Sequence, residues 1–263
     1  MIGELLKTKK ALIGMVHLPA LPGAPCYRGA SVEEIMSQVC RDRDALIDAG
    51  FDALSFSNEG DAPFLSQAPV ETVALMSRLI HEASQGLDVP FGCGFLVDAK
   101  ATLALARAVG ADFVRVSFGV TAGMFGFSDS PAGPLLRYQK EIGAEDVALL
   151  INVSAHFATN LDTRPFTEIV QNYVELVHPA GVQVHGAGAG RAPTLAEVKA
   201  VKDAVGDVAV LVSSGTTAET IASYLRHCDG AIVGTSLKYG ADITAPIDPE
   251  RAKRYVKEAR TAR

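Results

Sequence analysis

The chain is 263 residues long, 48% hydrophobic and 21% charged, with a net charge of −6. That acidic balance argues against nucleic acid as a partner, because affinity for phosphate backbones rests on clustered Lys and Arg. No apolar segment approaches the ~20 residues needed to cross a bilayer. No basic region followed by a long apolar run marks a signal peptide. The expected location is therefore cytoplasmic, without integral membrane contact. The four cysteines, Cys26, Cys40, Cys93 and Cys228, form no CxxC pair. Reduced thiols are expected, with Cys26, in a predicted loop, as the one candidate for reactivity.

Strand-like and helical runs alternate from end to end. The predicted strands are 11–18, 53–59, 91–97, 113–118, 148–154, 181–185, 208–213 and 231–233. Most are near-continuous apolar runs, as parallel strands covered by helices should be. Between the first two, Ser31 and Glu34 predict a capping box at a helix start. Pro69 opens the next helix at the favoured first turn. Helices follow at 99–109, 134–142 and 165–177. Thr194 with Glu197 and Thr216 with Glu219 predict two more capping boxes. Asp248-Pro249-Glu250 begins the last helix. Gly50, Gly110 and Gly143 suit left-handed helix ends. Eight strands alternating with eight helices predict an α/β fold, a (β/α)8 TIM barrel, in a single domain over 1–263. An open doubly wound sheet is the alternative.

Four of the strands carry polar residues at every second position: Ser55, Ser57 and Glu59; Arg115 and Ser117; Asn152 and Ser154; Gln183 and His185. Alternate side chains leave a strand on opposite faces, so Phe56, Val116, Val153 and Val184 share the other face. Burying the polar set without partners would cost roughly several kcal/mol. A shared wet space, a ligand site, is the expected solution.

The carboxyl ends of barrel strands build the active site in this fold. His17 is followed by a loop stiffened by Pro19, Pro22 and Pro25. Glu59 is the acid/base candidate, facing Arg115 across the lumen; the competing reading is an ion pair that holds the rim. His17 and His185 are further acid/base candidates. Asn152 and Arg115 would hold oxygens or stabilise developing negative charge. Asn58 and Asp61 are expected at the mouth, with Ser57 and Ser117. His156 lies further out. Ser213-Ser214-Gly215-Thr216-Thr217 and Gly234-Thr235-Ser236 follow the last two strands. Glycine and exposed N–H groups there predict phosphate binding by Ser214, Gly215, Gly234, Thr235 and Ser236. His17, Glu59, Asp61, Asp98 and His185 are metal-ligand types without ligand spacing. No cofactor is expected, a bound divalent metal being the alternative. Lys238 and Lys100 fall off the inward strand positions, which disfavours Schiff-base chemistry. The Gly186–Gly190 run is only loosely like a dinucleotide fingerprint.

Three stretches resemble the BtpA/SgcQ family: the run from Ile13 to Pro25 (IGMVHLPALPGAP), Asn58-Glu59-Gly60-Asp61-Ala62-Pro63-Phe64, and the run from Asp229 to Lys238 (DGAIVGTSLK). The family is similar to ribulose-phosphate-binding barrels. The resemblance implies a phosphate at Gly215 and Gly234–Ser236, and pocket roles for His17, Asn58 and Asp61. One branch is linked to photosystem I accumulation and another to sugar utilisation. This chain has Ser57-Asn58-Glu59 where the family has Glu-Asn-Phe, Val97-Asp98 where it has Arg-Asn-Asp, and Asn152 and Ala155-His156 where it has Asp and Lys-His. It resembles a divergent member. The expected function is an enzyme acting on a small phosphorylated sugar or sugar-like metabolite, an isomerase, lyase or glycoside-cleaving type, in a homo-oligomer. The alternatives are a noncatalytic photosystem I assembly-type factor and a metabolite-binding regulator.

Overall fold

The computed structural model describes residues 2–8, 10–123, 126–130, 132–153, 158–186, 188 and 190–262. In chain order the strands are β1 (Ala11–His17), β2 (Ala53–Ser57), β3 (Phe91–Gly94), β4 (Phe113–Ser117), β5 (Gly119–Gly123), β6 (Gly126–Ser130), β7 (Ala148–Asn152), β8 (Ala158–Asn160), β9 (Gly181–His185), β10 (Ala209–Ser213) and β11 (Gly230–Val233). The helices are α1 (Ile2–Thr8), α2 (Val32–Ala49), α3 (Val70–Ser84), α4 (Ala99–Val109), α5 (Ala132–Glu141), α6 (Phe166–Val177), α7 (Leu195–Val205), α8 (Ile221–Leu225) and α9 (Pro249–Arg260).

Eight of the strands close a parallel barrel in the order β1-β11-β10-β9-β7-β4-β3-β2. The open-sheet alternative is thereby excluded. Strand parity divides the apolar residues into two cores. Leu54, Phe56, Val116, Val153 and Val184 face outward and pack under the helices. Ile13, Met15, Phe113, Leu150, Leu211 and Ile232 fill the interior. Ile2 and Leu6 of α1 join that inner cluster and close the amino-terminal end of the barrel. The apolar half of the lumen is thereby filled, and the polar strand residues line a cavity at the carboxyl end. Among the described residues no helix is long and apolar enough to cross a membrane.

Local signals in the sequence place most element ends. Both capping boxes at Ser31/Glu34 and Thr194/Glu197 form. Gly50 and Gly110 take left-handed conformations at φ 89° and 74°. The Thr216/Glu219 box does not form. The Thr216 hydroxyl pairs with the Tyr255 hydroxyl at 2.8 Å instead, and α8 begins only at Ile221. Three strands also end two or three residues earlier than expected. β2 stops at Ser57, and Glu59–Asp61 is a 3₁₀ turn. β3 stops at Gly94, and β7 stops at Asn152.

Two features lie outside the sequence reading. One is α1. The other is a small antiparallel sheet, β6-β5-β8, beside the carboxyl end of the barrel. Its strands are only three to five residues long, so they carry little periodicity.

Gly92 of β3 points inward beside Phe113 of β4, and a Cβ there would overlap the Phe113 ring. Gly92→Ala is therefore expected to lower unfolding free energy in urea by about 1–3 kcal/mol through overpacking. Phe113→Leu in the same chain should recover part of that loss, a non-additivity expected of contacting residues.

Candidate active site

Parity along the short strands sends Ser55, Ser57, Arg115, Ser117, Asn152, Gln183, His185 and Ser213 into one cavity at the open end, with a volume of about 210 Å³. His17, Glu59, Ser214, Gly215, Gly234, Thr235 and Ser236 also line it. These include most of the residues that the sequence singled out. Ser154 and His156 lie outside the described residues.

Arg115 organises the floor. Its Nε donates to Gln183 Oε1 at 2.7 Å, and its Nη2 donates to Ser213 Oγ at 3.3 Å. Its Nη1 lies 3.1 Å from Met15 Sδ. Gln183 is held in turn, because its Nε2 donates to the Leu150 carbonyl at 2.8 Å. With each guanidinium nitrogen committed to a neighbour, Arg115 is a fixed charge rather than a mobile clamp. Burial lowers its proton affinity and the Glu59 carboxylate raises it.

Glu59 owes its position to the turn after β2, not to strand parity. Ser57 Oγ donates to Glu59 Oε2 at 3.5 Å. Desolvation pushes the Glu59 carboxyl above its ordinary range, while Arg115, the Ser57 hydroxyl and Lys238 pull it back. No direct Glu59–Arg115 ion pair forms; they interact through the cavity.

The two histidines differ. His17 is buried, and its Nδ1 has no hydrogen-bond partner among the described residues. Burial first, then Lys238 and Arg115, lowers its pKa from 6.5 to about 3. It is therefore a neutral imidazole at physiological pH. Its ring packs on Gly234, where any Cβ would collide with it. His185 Nδ1 lies 2.8 Å from the Gly186 carbonyl. A carbonyl only accepts, so Nδ1 carries a proton.

Asn58 and Asp61 do not line the cavity. Asp61 Oδ1 accepts from the Leu21 N–H at 2.8 Å, and Asn58 Nδ2 reaches Asp61 Oδ2 at 3.3 Å. Asn58 Oδ1 accepts from the Leu96 N–H at 3.2 Å. The pair ties the proline loop after β1 to the loop after β3. Gly60 completes this junction, since a Cβ there would strike the Pro19 and Ala20 backbone. Asp98 is likewise structural, capping α4 through the Ala101 N–H at 2.9 Å and bonding the Ala68 N–H at 3.0 Å. Among the described residues no group of three His, Cys, Asp or Glu side chains is placed to hold a metal ion.

The loops after β10 and β11 meet at the other side of the mouth. Ser214 and Gly215 both have positive φ, 70° and 72°. At Ser214 that conformation costs about 1–2 kcal/mol for a residue with a Cβ. Ser214 Oγ accepts from the Gly190 N–H at 2.9 Å, and Ser236 Oγ donates to the Thr216 carbonyl at 2.7 Å. The hydroxyls thus brace the loops. The N–H groups of Gly215, Thr235 and Ser236 have no acceptor among the described residues.

Sequence reasoning missed Asp42 and weighed Lys238 only for Schiff-base chemistry; neither lines the cavity. Both are buried; Lys238 Nζ donates to the Ala245 carbonyl at 2.7 Å and lies 3.9 Å from Asp42 Oδ2. Burial lowers the Lys238 pKa and raises that of Asp42. One signal was available: Asp42 sits on the same stripe of α2 as the buried Ile35, Val39 and Leu46.

The model of the BtpA family matches residues 8–261 of this chain. The chain belongs to the BtpA family. The sgc region protein SgcQ of Escherichia coli (strain K12) is 34% identical over 257 residues, covering 97% of this chain and 96% of that one. The photosystem I biogenesis protein BtpA of Synechocystis is 32% identical over 257 residues, covering 96% and 89%. Among solved structures, phosphoribosyl anthranilate isomerase from Thermus thermophilus superposes with a TM-score of 0.60 at 12% identity, covering 96% of this chain and 100% of that one. The tryptophan synthase alpha chain of Legionella pneumophila gives 0.58 at 16%, covering 99% and 96%. These two likenesses are of fold alone.

The depressed His17 pKa makes a stability prediction. Between pH 6.5 and about 3 the unfolded chain binds a proton at His17 that the folded chain refuses. Its contribution is therefore fully present above pH 6.5 and lost as pH falls. The loss is expected to reach about 2 kcal/mol by pH 5. Urea unfolding of wild type and His17→Asn at pH 8 and pH 5 checks this: the drop should shrink by that amount in the variant. Equal drops would show that His17 is not held neutral.

Proposed function

We propose that this protein is an enzyme that acts on a small phosphorylated sugar or sugar-like metabolite by acid/base chemistry at the carboxyl end of the barrel. The observation that carries the reading is the pairing, in one cavity, of a half-buried Glu59 of raised proton affinity with a cluster of backbone N–H groups at Gly215, Thr235 and Ser236. Backbone N–H groups released from internal bonding suit a phosphate. A carboxyl pushed toward neutral pH suits proton transfer.

In this reading the phosphate anchors the substrate at the loops after β10 and β11. Glu59 removes or returns a proton. Arg115 supplies a fixed positive potential where negative charge develops. His17, neutral throughout the physiological range, exchanges hydrogen bonds rather than a full charge. His185 is a further acid/base candidate at the rim of the cavity. Asn152, whose Nδ2 reaches Ser117 Oγ at 3.4 Å, offers its amide to a sugar oxygen. Isomerisation, carbon–carbon cleavage without a Schiff base and glycosidic cleavage all fit these groups. A cytoplasmic homo-oligomer belongs to the same proposal; the four free cysteines support the reducing compartment.

A noncatalytic assembly role is the second reading, favoured by the name of the Synechocystis relative. The burial of Arg115, Gln183 and His17 within the barrel weighs against it. An inert scaffold has no need of a charge and two polar groups whose desolvation opposes folding.

Turnover of a panel of phosphosugars tests the proposal. Glu59→Gln should lower kcat about 10²–10⁴-fold on any substrate found. Wild-type activity should rise with pH as Glu59 ionises, with a midpoint above pH 4.5. Unchanged activity in the variant removes Glu59 from the mechanism. Ser236→Asp, which sets a negative charge among the N–H groups, should weaken binding of inorganic phosphate by about tenfold or more.

A further inference from the structure

The cavity has two unlike ends. In the barrel order, β10 stands four strands from β3, so their loops face each other across the mouth. The β10 side, with the neighbouring β11 loop, presents Gly215, Thr235 and Ser236, whose N–H groups have no acceptor among the described residues. The β3 side, with the neighbouring β2 loop, presents Phe64, Leu96 and Val97. None of these three side chains is buried; Leu96 is 37% exposed. Between the two ends lie Glu59, Arg115, Asn152, Gln183 and Ser213, a polar band suited to sugar hydroxyls.

A bare phosphosugar is polar at every position. Its far end would leave hydroxyls against Phe64, Leu96 and Val97 without hydrogen-bond partners, which is unfavourable. An apolar ring there would instead cover hydrocarbon surface and gain free energy in proportion to the area removed from water. The loop is also held in place rather than loose. The Leu96 N–H donates to Asn58 Oδ1, and Asn58 is fixed by Asp61. A preformed apolar wall opposite an anion end is what an amphiphilic small molecule requires.

Resting on the phosphosugar reading above, we infer that the substrate is a sugar phosphate that carries an apolar, ring-sized substituent at the end remote from the phosphate. The phosphate lies on the amides after β10 and β11. The sugar spans the polar band. The substituent lies against Phe64, Leu96 and Val97. Specificity for the substituent resides in those three residues, and Leu96 is the most accessible to change.

Calorimetric titration of the full chain with three probes tests this: inorganic phosphate, ribose 5-phosphate, and phenyl β-D-ribofuranoside 5-phosphate. The phenyl compound should bind about tenfold more tightly than ribose 5-phosphate, the gain of covering one ring. Leu96→Asp should abolish that advantage while keeping the affinities for phosphate and ribose 5-phosphate within about twofold. Val97→Thr, which keeps side-chain volume, should reduce the advantage in the same direction and guards against a folding defect in the first variant. Equal binding of the two sugar phosphates to wild type would overturn the inference and leave the phosphosugar reading standing. So would a Leu96→Asp variant that weakens both equally. Failure of all three probes to bind would overturn the phosphosugar reading itself, and the inference with it.

Discussion

A guanidinium inside a barrel is the constraint from which the rest of this site follows. Removing a cation from water costs roughly several kcal/mol, and only good partners repay it. Arg115 therefore requires Gln183, Ser213 and Met15 on three other strands. Those partners must point inward at compatible heights, which fixes the register of β1, β4, β9 and β10 around it. Gln183 then needs the Leu150 carbonyl, so β7 is drawn into the same network. The apolar layer beneath, from Ile13 to Ile232, excludes water from below and sharpens every electrostatic interaction above it.

The same positive charge, with the buried Lys238, determines how the titratable groups behave. It lies close to His17 and to Glu59 and acts oppositely on them. On His17 it adds to desolvation and keeps the ring neutral. On Glu59 it opposes desolvation, so that the carboxyl is raised less than burial alone would raise it. One charge thus reinforces the neutrality of the imidazole that burial imposes and restrains the rise that burial imposes on the carboxyl. The strained Ser214-Gly215 turn serves the other end of the cavity. The Gly215 N–H that follows has no acceptor among the described residues.

The relatives by sequence and the structures of similar fold bear on different questions. SgcQ and BtpA establish the family across almost the whole chain. The two solved barrels establish only a shared backbone path. The chemistry must come from this chain's own side chains. Asn58 and Asp61 illustrate the point: the motif that carries the resemblance implied pocket roles for both, yet each is spent on joining two loops.

Alternation of polar and apolar residues along the strands was enough to divide lumen from helix-facing residues, because side-chain direction along a strand depends on local geometry alone. That is why Arg115, Gln183 and His185 were legible as inward residues, and Phe56, Val116 and Val184 as outward ones. Helix starts at Ser31 and Thr194 were legible for the same reason: a cap is satisfied within four residues. What lay beyond the sequence depended on distant partners. The place of Glu59 hangs on a turn docked against the loop after β1. The neutrality of His17 hangs first on burial within the closed barrel, then on charges 221 and 98 positions away in the chain, at Lys238 and Arg115. Thr216 forgoes its expected cap because Tyr255 arrives from α9. Parity is written in each strand, but proton affinities and loop junctions exist only once the barrel has closed.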